Sequence, residues 1–366
     1  MNSVKWGEFR LGDLFEIVGT KSIDSNAVDF VDNGINFVGR TFENNGIQGY
    51  INRRSFDPNA PFTITATVIG NYKYVKFQKQ PYYCSQNINR LTPKNIISRW
   101  NEYIAYYFVT IVQQFVSIYD GQQGGYKLDD INNFTLNLPI IQSGNIDYDS
   151  IEALMRELED ERIRELSAYL KASGLDDTNL TIEEHNALRM LNLMSWSEYN
   201  VPNVFEVKNT RNIDSSSITE NSGTTPYLCA SAFNNGVSSY ILYDESMMDK
   251  GNCIFIGGKT FVVSYQEKDF FSNDSHNLAL YCKDIPRTKL NQLFLVTCVN
   301  KSLGHKYTWG DSISKTKIKN DKILLPSTDG HLDYSMMETV IRAVQKILIK
   351  DVVKYVNKKL EYHSGK

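Results

Sequence analysis

The chain has 366 residues, is 42% hydrophobic and 22% charged, and has a formal net charge of −3. With no biased tract, it holds enough apolar matter for two ordinary cores and reads as soluble and globular. Its longest apolar runs, such as residues 292–299, fall far short of the roughly 20 residues that cross a bilayer, and charges occupy the first ten positions where a signal peptide needs an apolar run. No membrane partner and a cytoplasmic location are therefore expected, and the five cysteines (Cys84, Cys229, Cys253, Cys282, Cys298), widely spaced and without a C-x-x-C pair, read as small core residues.

From Trp6 the chain reads as short strands rich in aromatic and β-branched residues, over 62–69 and 74–77, with turn signals at Asn33-Gly34 and Asn45-Gly46. A helix follows over 100–119, and Leu138-Pro139 closes the segment as a strand end. The period then changes. Ile151, Leu154, Met155, Leu158, Ile163, Leu166, Tyr169 and Leu170 recur at three- and four-residue spacing among acidic residues, predicting a long amphipathic helix over 149–171. Gly174 is a natural helix terminator, and Thr181 with Glu184 has capping-box spacing for a short helix running to about Met194. The connector is therefore ordered. Beyond it lie strands over 253–256 and 261–265, a turn at Asn235-Gly236, a helix over 287–300 and Leu325-Pro326. The last element is a long helix carrying Met337, Val340, Ile341, Val344, Ile347, Leu348, Val352, Tyr355 and Val356 among lysines.

This order is a duplication. Shifted by 190 positions without a gap, residues 6–51 place 13 identities in 46 positions, among them Trp6 on Trp196, Phe15 on Phe205, Asp24 on Asp214 and Asn44-Asn45-Gly46 on Asn234-Asn235-Gly236. A period this long exceeds solenoid repeats, so each copy is a domain with its own core, and Trp6 and Trp196 are expected as core anchors. The expected fold class is α+β, with domains at 1–148 and 196–334, a helix and connector at 149–195, and a C-terminal helix at 335–366. The net charges of these segments are 0 for 1–148, −1 for 196–334, −6 for 149–195 and +4 for 335–366. Neither domain is a module that binds nucleic acid by charge alone. One long helix is acidic and the other basic, so their apolar stripes are expected to pair; two separate surface helices, each lying on its own domain, is the alternative.

Familiar catalytic constellations are missing. There is no glycine-rich cofactor loop with an N/D-P-P-Y/F tetrapeptide, and Gly121-Gln-Gln-Gly-Gly125 lacks the lysine and hydroxyl of a P-loop. The one Glu-x-Lys, Glu206-Val207-Lys208, has no aspartate on a preceding strand, and the five histidines are scattered without ligand spacing. No catalytic residue and no metal site are expected.

A domain opening Trp6-x-Glu-Phe-x-Leu-Gly-Asp-Leu-Phe15-Glu-Ile17, closing in Leu138-Pro139, continuing into a long helix and repeating from Trp196 resembles the DNA-specificity subunits of type I restriction-modification systems. It also resembles the similar specificity subunits of BcgI-like type IIB enzymes. The resemblance implies two target-recognition domains reading double-stranded DNA, and two long helices forming an antiparallel coiled coil that spaces the half-sites. At about 1.5 Å per residue, 149–171 spans roughly 35 Å, near one turn of B-DNA. It implies further that the helices, through Ile151, Leu154, Leu158, Leu166, Val340, Val344, Leu348 and Val352, pair and dock two methyltransferase subunits. S-adenosylmethionine then belongs to those partners and not to this chain, with Mg and ATP entering only where a restriction subunit joins. Many type I subunits carry a proline-rich turn and Glu-Gln before the long helix, whereas Gly144-Asn-Ile-Asp-Tyr148 and Gly330-His-Leu-Asp-Tyr334 stand here, which leaves the subclass open.

Base reading needs Arg, Lys, Asn, Gln, Ser or Thr on loops that enter a groove. The first copy offers Arg40, Thr41, Asn44, Asn45, Gln48, Arg53 and Arg54 around one hairpin, Asn71, Tyr72 and Lys73 in a turn, and Gln122, Gln123, Tyr126 and Lys127 after the helix. The second offers Ser231, Asn234, Asn235, Lys259, Thr260, Lys301, His305, Lys306, Tyr307 and Trp309. Arg40-Thr41 becoming Ala230-Ser231 fits copies that keep a fold and change target, while the shared Asn-Asn-Gly reads as turn chemistry. A non-catalytic DNA-recognition subunit is the expectation, and a two-domain protein-binding adaptor is the alternative that near-neutral domains permit.

Overall fold

The structure is a computed structural model that describes residues 4–121, 124–191, 193–284, 286–328 and 331–363. Its contacts divide the chain into two units, 1–165 and 166–366, with the division inside the first long helix.

In the first unit β1 (Lys5–Arg10) runs into the short α1 (Leu11–Leu14) and β2 (Phe15–Gly19), followed by β3 (Ile35–Val38), β4 (Ile47–Ile51), β5 (Thr63–Thr67), β6 (Val75–Gln78), β7 (Tyr82–Cys84) and β8 (Ile88–Pro93). Then come α2 (Glu102–Ser117), α3 (Leu128–Asn133), β9 (Thr135–Ile140) and the long α4 (Tyr148–Ala172). The strands form a sheet of order β2-β8-β5-β6, a second of order β4-β3-β7 and a β1-β9 pair. All five residues of β5, Thr-Ile-Thr-Ala-Thr, are buried, which suits β-branched side chains in a strand covered on both faces. Asn101 caps α2 by accepting from the Ile104 N–H at 3.1 Å, and Ile104, Phe108, Val112 and Phe115 bring one helix face onto the sheet. Phe108 and Trp100 meet the Phe15 ring edge-on at centroid distances of 5.0 and 5.6 Å.

The second unit repeats this plan. Past the short α5 (Ile182–Met190) come β10 (Trp196–Asn200), α6 (Val201–Val204), β11 (Phe205–Asn209), β12 (Thr225–Leu228), β13 (Val237–Ile241), β14 (Cys253–Ile256), β15 (Val263–Gln266), β16 (Phe271–Ser272) and β17 (Leu278–Cys282). They are followed by α7 (Lys289–Leu303), α8 (Lys315–Ile318), β18 (Lys322–Thr328), β19 (His331–Leu332) and α9 (Tyr334–His363). Sheets of order β11-β17-β14-β15 and β13-β12-β16 match those of the first unit strand for strand. The repeated sequence signals have repeated geometry: Trp6 stands opposite Pro139 and Trp196 opposite Pro326, each in an antiparallel pair.

The two tryptophans correct an expectation. Trp6 is 57% and Trp196 40% exposed, because alternation along β1 and β10 sends them outward with Glu8 and Glu198 while Phe9 and Tyr199 face inward. The cysteines are free, and all but Cys229 are buried; burial raises the Cys298 thiol to about 12. Gly174 ends α4 in the left-handed region with φ +64°, and the Leu175 N–H reaches back to the Leu170 carbonyl. Thr181 and Glu184 form the capping box that opens α5, with bonds of 2.8 and 3.1 Å.

Both long helices begin on their own domain. Ile151 and Met155 of α4 pack in the first core, and Met337, Val340, Ile341 and Val344 of α9 pack in the second, where α9 lies against α5 and α7. Ile151, Val340 and Val344, expected on a helix-pairing stripe, are instead taken up by domain cores, because the stripe is continuous with the domain that precedes it. Leu166 is half-buried, whereas Leu154, Leu158, Leu348 and Val352 are exposed.

The Asn-Asn-Gly turns are left-handed at consecutive residues: Asn44, Asn45 and Gly46 have φ of 45°, 54° and 80°, and Asn234, Asn235 and Gly236 have 47°, 52° and 81°. An alanine Cβ at Gly46 meets only ordinary contacts at 3.4 Å, so its cost is the backbone conformation. Gly46→Ala is expected to lower unfolding stability by roughly 1–2 kcal/mol, measured by urea denaturation.

Candidate nucleic-acid interface

In the first domain three separate loops meet. The β3–β4 hairpin is tied to β6 by the Asn45 amide donating to the Phe77 carbonyl at 2.9 Å and the Gln78 amide donating to the Asn45 carbonyl at 3.2 Å. The β5–β6 turn is tied to the loop after α2 by the Gly121 N–H on the Asn71 carbonyl and the Lys73 N–H on the Asp120 carboxylate, both 2.8 Å. Between hairpin and turn lies a cleft of about 410 Å³ lined by Arg40, Gln48, Asn71 and Tyr72, with Ser25 and Tyr74. These four predicted residues, from two loops more than 20 positions apart, face one space. Gln48 lies over Gly39, where a Cβ would stand 2.1 Å from its side-chain oxygen, so a larger residue there would turn the exposed Gln48 side chain aside; the aligned residue in the second domain is Cys229. Arg40 is exposed and has no ion-pair partner among the described residues.

Other predicted residues have structural roles. The Asn44 amide donates to the Ile47 carbonyl at 3.0 Å and, with Asn45, builds the turn. Thr41 accepts from the Glu43 N–H, Arg53 pairs with Asp57 at 2.5 Å, and the Arg54 N–H bonds the Tyr83 hydroxyl. Lys127 is exposed at the start of α3, and Gln122 and Gln123 lie outside the described residues. Two placements are corrections. Lys73 is 1% exposed, with its ammonium donating to the Gly70 and Tyr119 carbonyls, and Tyr126 is buried with its hydroxyl on the Ala66 carbonyl. A lysine that closes a turn over the end of a helix is turned away from any ligand. Lys73→Met should therefore lower stability by about 1–2 kcal/mol, through loss of its bonds to the part-buried Gly70 and Tyr119 carbonyls, read by thermal unfolding.

The second domain assembles the equivalent loops. Thr260 donates to the Ala230 carbonyl at 2.9 Å, joining the β14–β15 turn to the β12–β13 hairpin, and Phe261 stacks on Tyr307 of the loop after α7 at 5.4 Å. Asn234 and Asn235 again serve the turn, donating to the Val237 and Tyr265 carbonyls at 2.9 Å each. Ser231 accepts from the Phe233 N–H. Lys259 pairs with Asp274 at 3.0 Å; burial opposes ionisation of that carboxyl, but bonds from the His276 amide and ring and from Lys259 hold it below the ordinary carboxylate range. Tyr307 is a further correction: it is buried and its hydroxyl bonds Asp321, beside the Lys306–Asp321 pair at 3.1 Å. Lys301, His305 and Lys306 line a different groove of about 400 Å³ with Glu198 and Lys322, along β10 and β18. Trp309 is exposed.

Sequence reasoning missed Ser25 and Tyr74 in the cleft and the exposed phenylalanines Phe42 and Phe233, each within two residues of its Asn-Asn-Gly turn. An aromatic residue inside an otherwise polar turn is the signal that could have found the last two. The Glu206-Val207-Lys208 triplet closes on itself as a 3.2 Å ion pair, and no group of three His, Cys, Asp or Glu side chains among the described residues is placed to hold a metal. No helix among them is long and apolar enough to cross a membrane.

Two tandem α+β units with matching topology, each presenting the same set of loops, define a duplicated two-domain protein, and the family profile agrees. The type I restriction modification DNA specificity domain matches residues 3–168 and again 194–355, so the chain belongs to that family in two copies. Among curated relatives, the specificity subunit of the BcgI type II restriction enzyme from Heyndrickxia coagulans is 23% identical over 361 residues, covering 95% of this chain and 97% of that one. The solved S subunit of a type I restriction-modification system from M. genitalium shares the fold, with a TM-score of 0.54 at 13% identity over 99% of this chain and 94% of its own. The HsdS subunit from Thermoanaerobacter tengcongensis aligns over 97% and 93% at 16% identity, with a TM-score of 0.32.

Proposed function

We propose that this chain is the DNA-reading subunit of a restriction-modification complex, in which each domain reads one short half-site of a bipartite duplex target. The observation that carries the reading is the cleft where Arg40, Gln48, Asn71 and Tyr72 converge from two loops. Its chemistry suits base edges: a guanidinium pairs with guanine O6 and N7, and Gln or Asn pairs with adenine N6 and N7. Near-neutral domains supply little of the phosphate attraction that duplex binding needs, so partner subunits provide the remainder.

In this account the α4 and α9 helices pair antiparallel and fix the spacing of the half-sites. The exposed Leu154, Leu158, Leu348 and Val352 supply apolar contacts for that pairing and for two methyltransferase subunits. The methyl transfer, with S-adenosylmethionine, takes place on those partners, and a restriction subunit, where present, brings Mg and ATP. This chain contributes recognition and no reacting group.

The test is duplex binding by the chain co-expressed with its methyltransferase subunits. Sequence-dependent affinity that falls steeply with salt is expected. A complex that binds no duplex would leave the adaptor reading, and methylation or cleavage by the purified chain alone would contradict the non-catalytic assignment.

A further inference from the structure

Phe42 is 68% exposed, yet its ring is held in place. Tyr74 lies beside it at a centroid distance of 5.8 Å and an interplanar angle of 56°, and the Lys76 ammonium sits 4.6 Å from the Phe42 centroid and 6.0 Å from that of Tyr74. Burial lowers the Lys76 pKa, so this ammonium is partly removed from water, where attraction to a ring face is stronger. Tyr74 is also a wall of the cleft that Arg40, Gln48 and Asn71 line. Phe42 thus stands at the rim of the base-reading cleft, braced from one face and one side.

A bare aromatic ring on a loop tip contributes nothing to the domain core. Its surroundings constrain the ligand: a wedge between base pairs needs both faces free to enter the stack, and here one face carries the ammonium. What remains available is the opposite face and the outer rim of the ring, an apolar surface beside a cleft lined by three hydrogen-bonding side chains. In the major groove the apolar feature next to the donors and acceptors of the base edges is the thymine C5-methyl group. Resting on the DNA-reading function proposed above, we propose that Phe42 is a specificity-determining residue that contacts the C5-methyl of a thymine in the half-site read by the first domain. The aligned residue in the second domain is Ala232, with the exposed Phe233 beside it, and the brace of Tyr74 and Lys76 holds Phe42, so the contact is assigned to the first half-site.

The test uses the chain assembled with its methyltransferase subunits and duplexes carrying the mapped target, with thymines replaced one at a time by deoxyuridine, which removes the methyl and keeps every hydrogen-bonding group. At one thymine of one half-site, the wild-type complex should bind the deoxyuridine duplex about fourfold more weakly, the worth of one buried methyl. Phe42→Ala should bind the thymine duplex weakly and lose nothing further on deoxyuridine substitution, while Phe42→Leu keeps part of the discrimination. Equal weakening of thymine and deoxyuridine duplexes by Phe42→Ala, accompanied by lost fluorescence of a 2-aminopurine placed in the half-site, would overturn the methyl contact in favour of a wedge. An unchanged affinity in Phe42→Ala would overturn it outright. A wild-type complex that binds none of the duplexes would instead sink the function on which the proposal rests.

Discussion

Replacing Arg40 by alanine is expected to weaken target binding by roughly ten- to a hundredfold, about 1–3 kcal/mol, and to relax discrimination at one base pair of one half-site. Arg40 is exposed, stands in the cleft beside Gln48 and Asn71, and is replaced by Ala230 in the other copy. Binding assays over single-base variants of the target, repeated at several salt concentrations, distinguish its possible partners. A base contact changes the ranking of the variants and leaves the salt slope nearly unaltered, whereas a phosphate contact weakens all variants alike and lowers the slope by about one. The account predicts the first pattern. The second half-site should read as in wild type, since Arg40 lies in the first domain.

Substituting Glu184 by glutamine should loosen α5 from α9. The Lys346 ammonium is 3.0 Å from Glu184 and 2.9 Å from the Asn179 carbonyl, and the two side chains are 12% and 3% exposed. Losing the carboxylate leaves a covered ammonium short of its counter-charge, at a cost of about 2–3 kcal/mol. Amide exchange across 182–190 should then accelerate roughly 30- to 150-fold, and a Glu184→Gln, Lys346→Met double variant should recover part of the loss. Burial alone would raise the Glu184 pKa, but the Thr181 N–H and the Lys346 ammonium outweigh it and hold the group below its ordinary value. A lowered folded pKa means that the contribution is complete above the unfolded value of about 4.3 and disappears as pH falls through the folded one. Wild type should therefore lose α5 protection progressively as pH falls from the unfolded value through the lowered folded one, and Glu184→Gln should show no such step.

The duplication was the most legible feature, because both copies keep the residues that set strand pairing and turns: Trp opposite Pro, and three successive left-handed residues at Asn-Asn-Gly. The α4 terminator and the α5 capping box were also legible, since Gly174 and Thr181/Glu184 act through local backbone chemistry. Burial of single side chains was not. Trp6 looked like an anchor by size, but strand alternation turned it outward; Lys73 and Tyr307 looked available by chemistry, but tertiary carbonyls and carboxylates claimed them. The long helices illustrate the same limit: their period was evident, yet only packing could reveal that Ile151 and Val340 belong to domain cores while Leu348 does not. Arg40, Gln48, Asn71 and Tyr72 were found as loop residues, but their meeting in one cleft depends on strand order, which residue type does not encode.

The central claim, that this chain directs methylation to a bipartite target, is tested most directly by mapping base modification across the host genome with and without the gene. The account predicts that deletion abolishes methylation at a single motif of two short half-sites around a fixed spacer, and that Arg40→Ala alters only one of those half-sites. An unchanged map, in cells where the partner methyltransferase is expressed and co-purifies with this chain, would contradict it.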